Sequence, residues 1–264
     1  MKRAILIVAG PVLLLLVLLA LTWTMRRNAS AFLSQPPSHG VCFTIEIADS
    51  TGGRPGDPAA LRSAVQRRFA QFGSRIFWEP VSPTQFKVYA PIQETNAVEA
   101  GSSLVSQPGV LQLRFVHTNS SDLIEKEISP EGYQLLKVKR QNPLNRERYE
   151  NYVVQKAAEG GPAGIQISSA TTMKNSNTAD YDILFTLTPP SAETFKKVTR
   201  ENIGRQLAIV VDDILLSAPV IRSEIAQGSG VISGTFSREK AAQIASLMQT
   251  PLPAKVNLLE IKTF

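Results

Sequence analysis

Few residues of this chain are of types that could do chemistry, and their spacing argues against a catalytic site. Asp212 and Asp213 are adjacent carboxylates, of the kind that bind a metal ion or act as acid and base. Neighbouring residues of a strand point to opposite faces, and no third ligand type lies nearby in the sequence. We therefore predict a turn with local hydrogen bonds here. A hydrolase that uses Asp212 or Asp213 is the catalytic alternative.

The remaining reactive side chains are isolated. The only cysteine, Cys42, lies in an alternating segment, which predicts an inert strand residue that packs as a small hydrophobe. The two histidines, His39 and His117, lie far from other ligand types, so a zinc site is not expected. The stretch from Gly228 to Gly230 has neither the lysine nor the following helix of a phosphate-binding loop. We expect no enzymatic activity, no metal and no cofactor.

Composition and charge fit a folded body and exclude a nucleic-acid partner. Of 264 residues, 43% are apolar and 19% are charged, and the two kinds are interleaved, which predicts a buried core. The formal charge is +6, but Lys2, Arg3, Arg26 and Arg27 flank the first apolar run and contribute +4 of it. The remaining +2 is too small to indicate binding to nucleic acid.

The first apolar run predicts a membrane anchor. Ala4–Thr24 contains no charged residue, and at about 1.5 Å per residue it spans about 30 Å, the thickness of a bilayer core. Trp23 stands where an aromatic ring suits the membrane interface. We therefore expect an anchor over residues 1–27 and a polar linker over 28–40.

A cleaved signal peptide is the alternative for the same segment. Ala29–Ala31 is a small-x-small sequence of the kind that signal peptidases cut. The apolar run is longer than the usual core of a signal peptide, and Arg26 and Arg27 precede the site, so an uncleaved anchor is favoured.

Beyond the linker, apolar periodicity predicts an α+β body. Strands are expected over 41–48, 76–80, 85–90 and 110–116, and helices over 59–72 and 94–106. These elements resemble a βαββαβ unit, one antiparallel sheet with two helices on one face. Leu61, Val65 and Phe69 form the apolar stripe of the first helix, and Arg68 is assigned to its other faces.

The middle of the chain carries a weaker signal. It contains a basic cluster formed by Lys137, Lys139, Arg140, Arg146 and Arg148. Such a cluster is typical of a solvated surface, and contact with anionic lipid or an acidic partner is the alternative. A strand is expected over 149–156.

Regular elements return after Tyr181. Strands are predicted over 182–187, 207–211 and 214–217, with a helix that starts at Pro189. Ser237 is expected to cap the last helix, and a final strand is expected over 255–261.

The order of motifs in this region resembles one known family. Leu207–Asp212 is a strand that ends in aspartate, and the sequence Ser-Ala-Pro-Val-Ile follows at 217–221. Gly-Ser-Gly-Val-Ile-Ser-Gly-Thr-Phe occupies 228–236, and a helix and Leu252-Pro253 come next. This order resembles the extracytoplasmic domain of SecD, a protein-export subunit that works beside the Sec channel. More loosely, 66–73, 85–91 and 111–116 resemble earlier elements of that domain.

The resemblance implies an architecture and a function. The fold would be a ferredoxin-like base over 41–117, completed by 254–264, with an inserted α+β head over 118–253. The chain would be a single-pass protein of the bacterial inner membrane, with its C-terminal domain outside the cytoplasm. It would assist Sec-dependent export by contacting translocating, unfolded secreted polypeptide or Sec translocon subunits. The alternative is a scaffold that keeps the fold without export activity.

The resemblance also assigns residues and departures. The positions expected to carry the motif or to touch polypeptide are Asp212, Ser217, Ala218, Pro219, Val220, Ile221, Gly228, Ile232, Gly234 and Phe236. SecD continues into membrane helices that couple proton flow to export, whereas this sequence ends at Phe264, so a truncated relative without that half is expected. Where the family usually has a pair of glycines after its first membrane helix, this sequence has His39-Gly40. Pro251 replaces the glycine that usually precedes Leu-Pro.

Overall fold

The computed structural model describes residues 36–48, 56–92, 95–141, 147–157 and 165–264. The predicted anchor at 1–27, the signal-peptide site and the linker up to residue 35 lie outside these residues. Arg146 of the basic cluster also lies outside them. None of the described helices has both the length and the apolar composition needed to cross a bilayer.

The described residues form five helices and twelve strands in a mixed α+β fold. The helices are α1 (Pro58–Ala70), α2 (Thr95–Ser106), α3 (Ser120–Glu125), α4 (Pro189–Glu201) and α5 (Arg238–Gln249). The strands are β1 (Val41–Ile47), β2 (Phe77–Pro80), β3 (Gln85–Ala90), β4 (Leu111–Phe115), β5 (Tyr133–Gln141), β6 (Glu147–Gln155), β7 (Ile167–Lys174), β8 (Tyr181–Leu187), β9 (Leu207–Val211), β10 (Ile214–Ser217), β11 (Ser229–Ile232) and β12 (Val256–Thr263).

The first sheet has the order β12-β1-β3-β2, and α1 and α2 pack on one face of it. Alternate residues of β1 point towards the helices, so Phe43 and Ile45 are fully buried. They contact the apolar stripe of α1, where Leu61 and Val65 are also fully buried. Asp57 starts α1 by accepting a hydrogen bond from the backbone N–H of Ala59 at 2.9 Å. The predicted strands and helices of this part are confirmed.

The last strand closes the first sheet. β12 runs antiparallel to β1, with Val41 opposite Thr263 and Ile47 opposite Val256. The expected return of the final strand to the first unit is therefore confirmed.

The strand predicted over 110–116 lies in a different sheet from the one expected. As β4 it pairs with β9, from Leu111 opposite Val211 to Phe115 opposite Leu207. In the first sheet, β12 rather than β4 pairs with β1. Alternation indicates that one face of a strand is buried but not which core receives it. Here Leu113 and its neighbours on that face pack in a second core. The chain therefore leaves the first sheet after α2, before the boundary expected at residue 117.

The second core lies among two three-stranded sheets and two helices. The sheets have the orders β10-β9-β4 and β11-β8-β7, and α4 and α5 pack against them. Ile183, Ile232 and Ala241 are fully buried in this core. Ser237 caps α5 as predicted, because its hydroxyl accepts a hydrogen bond from the backbone N–H of Lys240 at 3.2 Å.

The β5–β6 hairpin covers the other face of the sheet that contains β9. Val138 and Val154 of the hairpin bury against Val210 and Leu215 in a third, smaller core. The sequence predicts β6 but misses β5, because β5 is rich in lysine and glutamine and, among its residues with a described burial, buries only Val138.

Arg68 joins the first core to the two segments that lead into and out of the second. Its side chain is fully buried, although the helix pattern assigns it to the other faces of α1. The guanidinium donates to four backbone carbonyl oxygens at 2.7 to 2.9 Å, which are those of Leu104, Gln107, Pro108 and Thr250. Burial lowers the pKa of Arg68 to about 10, against the opposing effect of Asp212, so the group stays charged at neutral pH.

Replacing Arg68 with Met should lower the free energy of unfolding by about 3–5 kcal/mol, because it removes the donor of four backbone carbonyls, two of them in buried hydrogen bonds. Urea denaturation followed by circular dichroism measures this. The matched control is Arg67→Met on the same helix, since Arg67 is exposed and donates to the side chain of Ser63 at 2.9 Å. We expect the control to change stability by about 0.5 kcal/mol or less. Equal effects of the two substitutions would contradict the assignment.

Candidate functional site

Asp212 holds a distant backbone segment in place. It lies in the turn between β9 and β10, as predicted, with a φ of 49°. Its carboxylate oxygens accept hydrogen bonds from the backbone N–H groups of Gly109 at 2.8 and 2.9 Å and of Val110 at 2.9 Å. The expected hydrogen bonding is therefore not local, since it joins this turn to the start of β4. Both oxygens are occupied, which disfavours a role for Asp212 as a general base.

Asp213 contacts a different partner from Asp212. Its carboxylate accepts from Nη2 of Arg114 at 2.6 Å, and Arg114 also bonds the side chain of Gln112. The side chain of Arg114 is 2% exposed and that of Asp213 is 76% exposed, so the pair joins buried β4 to the surface of the turn. Among the described residues, no three His, Cys, Asp or Glu side chains come together as a metal site requires.

The segment 217–221 is only partly exposed. Pro219 and Val220 face solvent, but Ile221 is 5% exposed and belongs to the second core, and Ala218 is buried in the third. The expectation that Ile221 offers an exposed apolar contact is wrong, because the backbone N–H of Ile221 bonds the carbonyl of Arg205 and fixes the segment beside β9. Ser217 is the last residue of β10.

The glycine-containing motif at 228–236 packs against the second core and positions the ring of Phe236. Ile232 is fully buried opposite Ile183, and Gly228 packs against Ala192 at the start of α4. Gly234 lies beneath the ring of Phe236, where a Cβ atom would come within 2.5 Å of the ring carbons. The ring of Phe236 can therefore lie over the backbone only because residue 234 has no side chain.

Phe236 stands at one side of an apolar groove of about 370 Å³. The groove is bounded by the β5–β6 hairpin, by β10 and by α5. Its lining residues are Gln107, Lys137, Val138, Lys139, Tyr149, Val211, Ile214, Leu215, Leu216, Thr235, Phe236, Lys240, Ile244 and Leu247. The floor consists of buried core residues such as Leu216 and Ile244.

The accessible part of the groove combines apolar and cationic side chains. Ile214 is 51% exposed and Tyr149 is 59% exposed, although both are large. Lys137, Lys139 and Lys240 are exposed at the same groove. The hydroxyl of Thr235 donates to the carbonyl of Lys139 at 3.1 Å and Nη1 of Arg140 donates to that of Ser233 at 3.1 Å, so the hairpin is fixed to the loop that carries Phe236.

Of the residues that the sequence singles out as contacts, the groove contains Phe236. It omits Pro219 and Val220, and it adds Ile214, Tyr149 and Lys240, which sequence reasoning misses as site residues. Two sequence signals lie close to these residues. The basic cluster contains Lys137 and Lys139, which also line the groove, and Ile214 directly follows the turn at Asp212 and Asp213.

Replacing Asp212 with Ala should lower the free energy of unfolding by about 2–4 kcal/mol, because two amides lose their acceptor and alanine is strained at this φ. Asp212→Asn is the matched variant, since asparagine tolerates the left-handed conformation and keeps one acceptor oxygen. We expect it to cost about half as much in thermal or urea denaturation. If both variants keep full stability, the carboxylate does not hold the segment.

Part of the chain, including most residues of the groove, matches a known subdomain. Residues 137–254 match the family model of the SecDF P1 head subdomain. The chain is 48% identical to the protein translocase subunit SecD of Leptotrichia buccalis over 82 residues, 31% of this chain and 20% of that protein. It is 35% identical to SecDF of Thermus thermophilus over 159 residues, 58% of this chain and 20% of that protein. With SecD of Calditerrivibrio nitroreducens it shares 29% over 214 residues, 77% of this chain and 40% of that protein.

Solved structures agree in fold. A crystal structure of SecDF in a super-membrane-facing form aligns with a TM-score of 0.61 at 23% identity, over 85% of this chain and 30% of that one. A second SecDF structure, of a membrane component that enhances protein export, aligns with a TM-score of 0.59 at 23% identity, over 84% of this chain and all of that one. The chain spans 20 to 40% of the length of the three curated relatives above. The chain is therefore similar to SecD and SecDF proteins, and its residues 137–254 match the P1 head subdomain of SecDF.

Proposed function

We propose that this chain is a membrane-anchored envelope protein that assists Sec-dependent protein export, and that its groove binds segments of unfolded polypeptide in transit. One observation carries the proposal. With the exception of Gln107, every residue that lines the apolar groove lies within the stretch that matches the P1 head subdomain. The groove is therefore formed almost entirely by residues that match a subdomain of SecDF, a component of protein export.

The shape and chemistry of the groove suit a polypeptide chain. A volume of about 370 Å³ is at the lower end for ligand pockets, which suits one or two side chains of a larger partner. Exposed Ile214 and half-buried Phe236 offer apolar contact, and Tyr149 adds an exposed ring with a polar end. A contact surface this small supports weak, reversible binding, which a protein that contacts polypeptides only during their export requires.

The setting of the groove is part of the same proposal. The apolar run Ala4–Thr24 would anchor the chain in the bacterial inner membrane, with the folded body outside the cytoplasm and a ferredoxin-like base nearest the bilayer. Subunits of the Sec translocon would be neighbours there. We propose binding without catalysis, because both carboxylates of the most suggestive pair are engaged in structural contacts.

A photo-crosslinking amino acid at position 214 should capture secreted precursors in living cells. The matched control is position 231, since Ile214 and Val231 are both β-branched strand residues with 51% exposure, and Val231 lies outside the groove. We expect crosslinks at 214 at least severalfold above those at 231, identified by mass spectrometry. Equal or absent capture at both sites, with the chain folded and in the membrane, would favour a scaffold without export work.

A further inference from the structure

β12 is an end strand of the first sheet and leaves one side of that sheet open. The sheet has the order β12-β1-β3-β2, and among the described residues no strand lies beyond β12. At the other end, β2 is only four residues long and finishes in Pro80, which has no backbone N–H to donate. β12 is eight residues long, and its second half is exposed, including the apolar Leu259 and Ile261. An exposed edge of this length is a template for pairing with another strand.

The backbone groups of Ile261 and Thr263 point towards the open side of β12. Beside β1, Gly40 and Phe264 exchange both of their backbone hydrogen bonds, at 3.0 and 3.1 Å. In an antiparallel ladder, pairs that exchange both bonds alternate with pairs that exchange none. Counting back two residues from Phe264, Lys262 bonds towards β1 in the same way. The N–H and C=O groups of Ile261 and Thr263 therefore point away from β1, where another strand could bond them.

Two charged residues of β12 decide which partner fits this edge. Nζ of Lys262 lies 2.8 Å from Oε1 of Glu260, and both side chains are exposed, so the two charges stand on the same face of the strand. A lysine on an edge strand normally discourages pairing. A second copy of β12 is an exception, because antiparallel pairing reverses the order of the two charges and can set each opposite its counterion.

Backbone direction limits the registers that two antiparallel copies of β12 can take. Outward groups must meet outward groups, so odd-numbered residues face odd-numbered residues. A twofold axis at Ile261 satisfies this condition and places Glu260 opposite Lys262 of the second copy. An axis at Glu260 or at Lys262 satisfies it too but places like charges opposite each other, which is destabilising. An axis at Leu259 falls where the pairing of β12 with β1 shifts register.

We propose that two copies of this chain pair through their β12 strands, antiparallel, about a twofold axis at Ile261. The two four-stranded sheets then join into one continuous sheet. Each Glu260 meets Lys262 of the second copy, and the two Ile261 side chains lie side by side. The contact is isologous, as in most homodimers, and one pair of strands buries little surface, so the dimer is reversible. β12 lies outside the groove, and this pairing goes beyond the proposed function.

Disulfide trapping tests the register. Ile261→Cys and Thr263→Cys are made in the full chain in detergent micelles, each together with Cys42→Ala, which removes the native buried thiol. At the axis, the Cα atoms of the two copies of position 261 lie about 5.5 Å apart, within the range of about 4.4–6.8 Å that a disulfide needs. Position 263 faces position 259 of the second copy, and its own counterpart is about 14 Å away. After mild oxidation with copper phenanthroline, non-reducing gels should show about tenfold more covalent dimer from position 261.

Charge reversal tests the partner. Glu260→Lys or Lys262→Glu alone places like charges opposite each other, so each should lower the dimer fraction severalfold in sedimentation velocity experiments. The double variant, Glu260→Lys with Lys262→Glu, restores opposite charges and should recover the dimer. Lys197→Glu reverses an exposed charge on α4, away from β12, and should leave the dimer fraction unchanged.

The possible outcomes are distinct. Equal disulfide yields at the two positions, or no recovery in the double variant, with unchanged circular dichroism spectra, would overturn the pairing. A chain that stays monomeric at every concentration would do the same. Extended polypeptide is the other occupant that such an edge can take. If position 261 forms mixed disulfides with an unfolded, cysteine-containing polypeptide while the chain stays monomeric, the edge binds polypeptide and the proposed dimer is wrong.

Discussion

The structure depends on one buried cation and the short backbone stretch that it binds. Among the residues that the structure describes, no carboxylate lies within hydrogen-bonding distance of Arg68, and four carbonyl oxygens accept from its guanidinium instead. Burying a charge in this way is costly unless its donors are satisfied, and here they are. The next two residues, Gly109 and Val110, present their amides to the carboxylate of Asp212. The backbone between α2 and β4 is thus held by a cation through its carbonyls and by an anion through its amides.

This arrangement fixes the helix that forms one side of the groove. The carbonyl of Thr250, directly after α5, accepts from Arg68, and the hydroxyl of Ser246 donates to the carbonyl of Arg68 at 3.3 Å. A Cβ atom at Gly109, which has a φ of 80°, would come within 2.2 Å of the carbonyl oxygen of Leu247, so only glycine lets the chain pass α5 so closely. The same helix carries Lys240, Ile244 and Leu247 into the groove. The position of this groove wall is therefore set by contacts at the C-terminal part of α5.

Local sequence patterns predicted most elements but few of their partners. Alternation predicts β1, β4 and β12, and the apolar spacing predicts the buried stripe of α1, because these signals depend on a single buried face. The pairing of β4 with β9 cannot be predicted in this way, since alternation does not say which sheet a strand joins. The same limit applies to Arg68, which the helix pattern assigns to the wrong face. An arginine on a helix is usually solvated, and only the fold shows that backbone carbonyls from two distant segments meet it.

The groove was still harder to predict. Its residues come from β5, β6, β10 and α5, which are far apart in sequence, and β5 was missed because its exposed lysines hide the periodicity. A family motif, rather than its surroundings, indicates Phe236. The sequence shows the basic cluster, but it cannot show that two of its lysines stand beside an apolar floor formed by β10 and α5.

The pairing of β1 with β12 has a consequence for the order of events after synthesis. A ribosome makes β1 long before β12, so one edge of β1 stays open until that distant strand has emerged. Contacts between such remote positions are slow to form when the intervening chain is loose. A second core that has already folded brings residues 109 and 250 close together and shortens that search. The second core, once folded, would then hold the chain on both of its sides in position while the first sheet is completed.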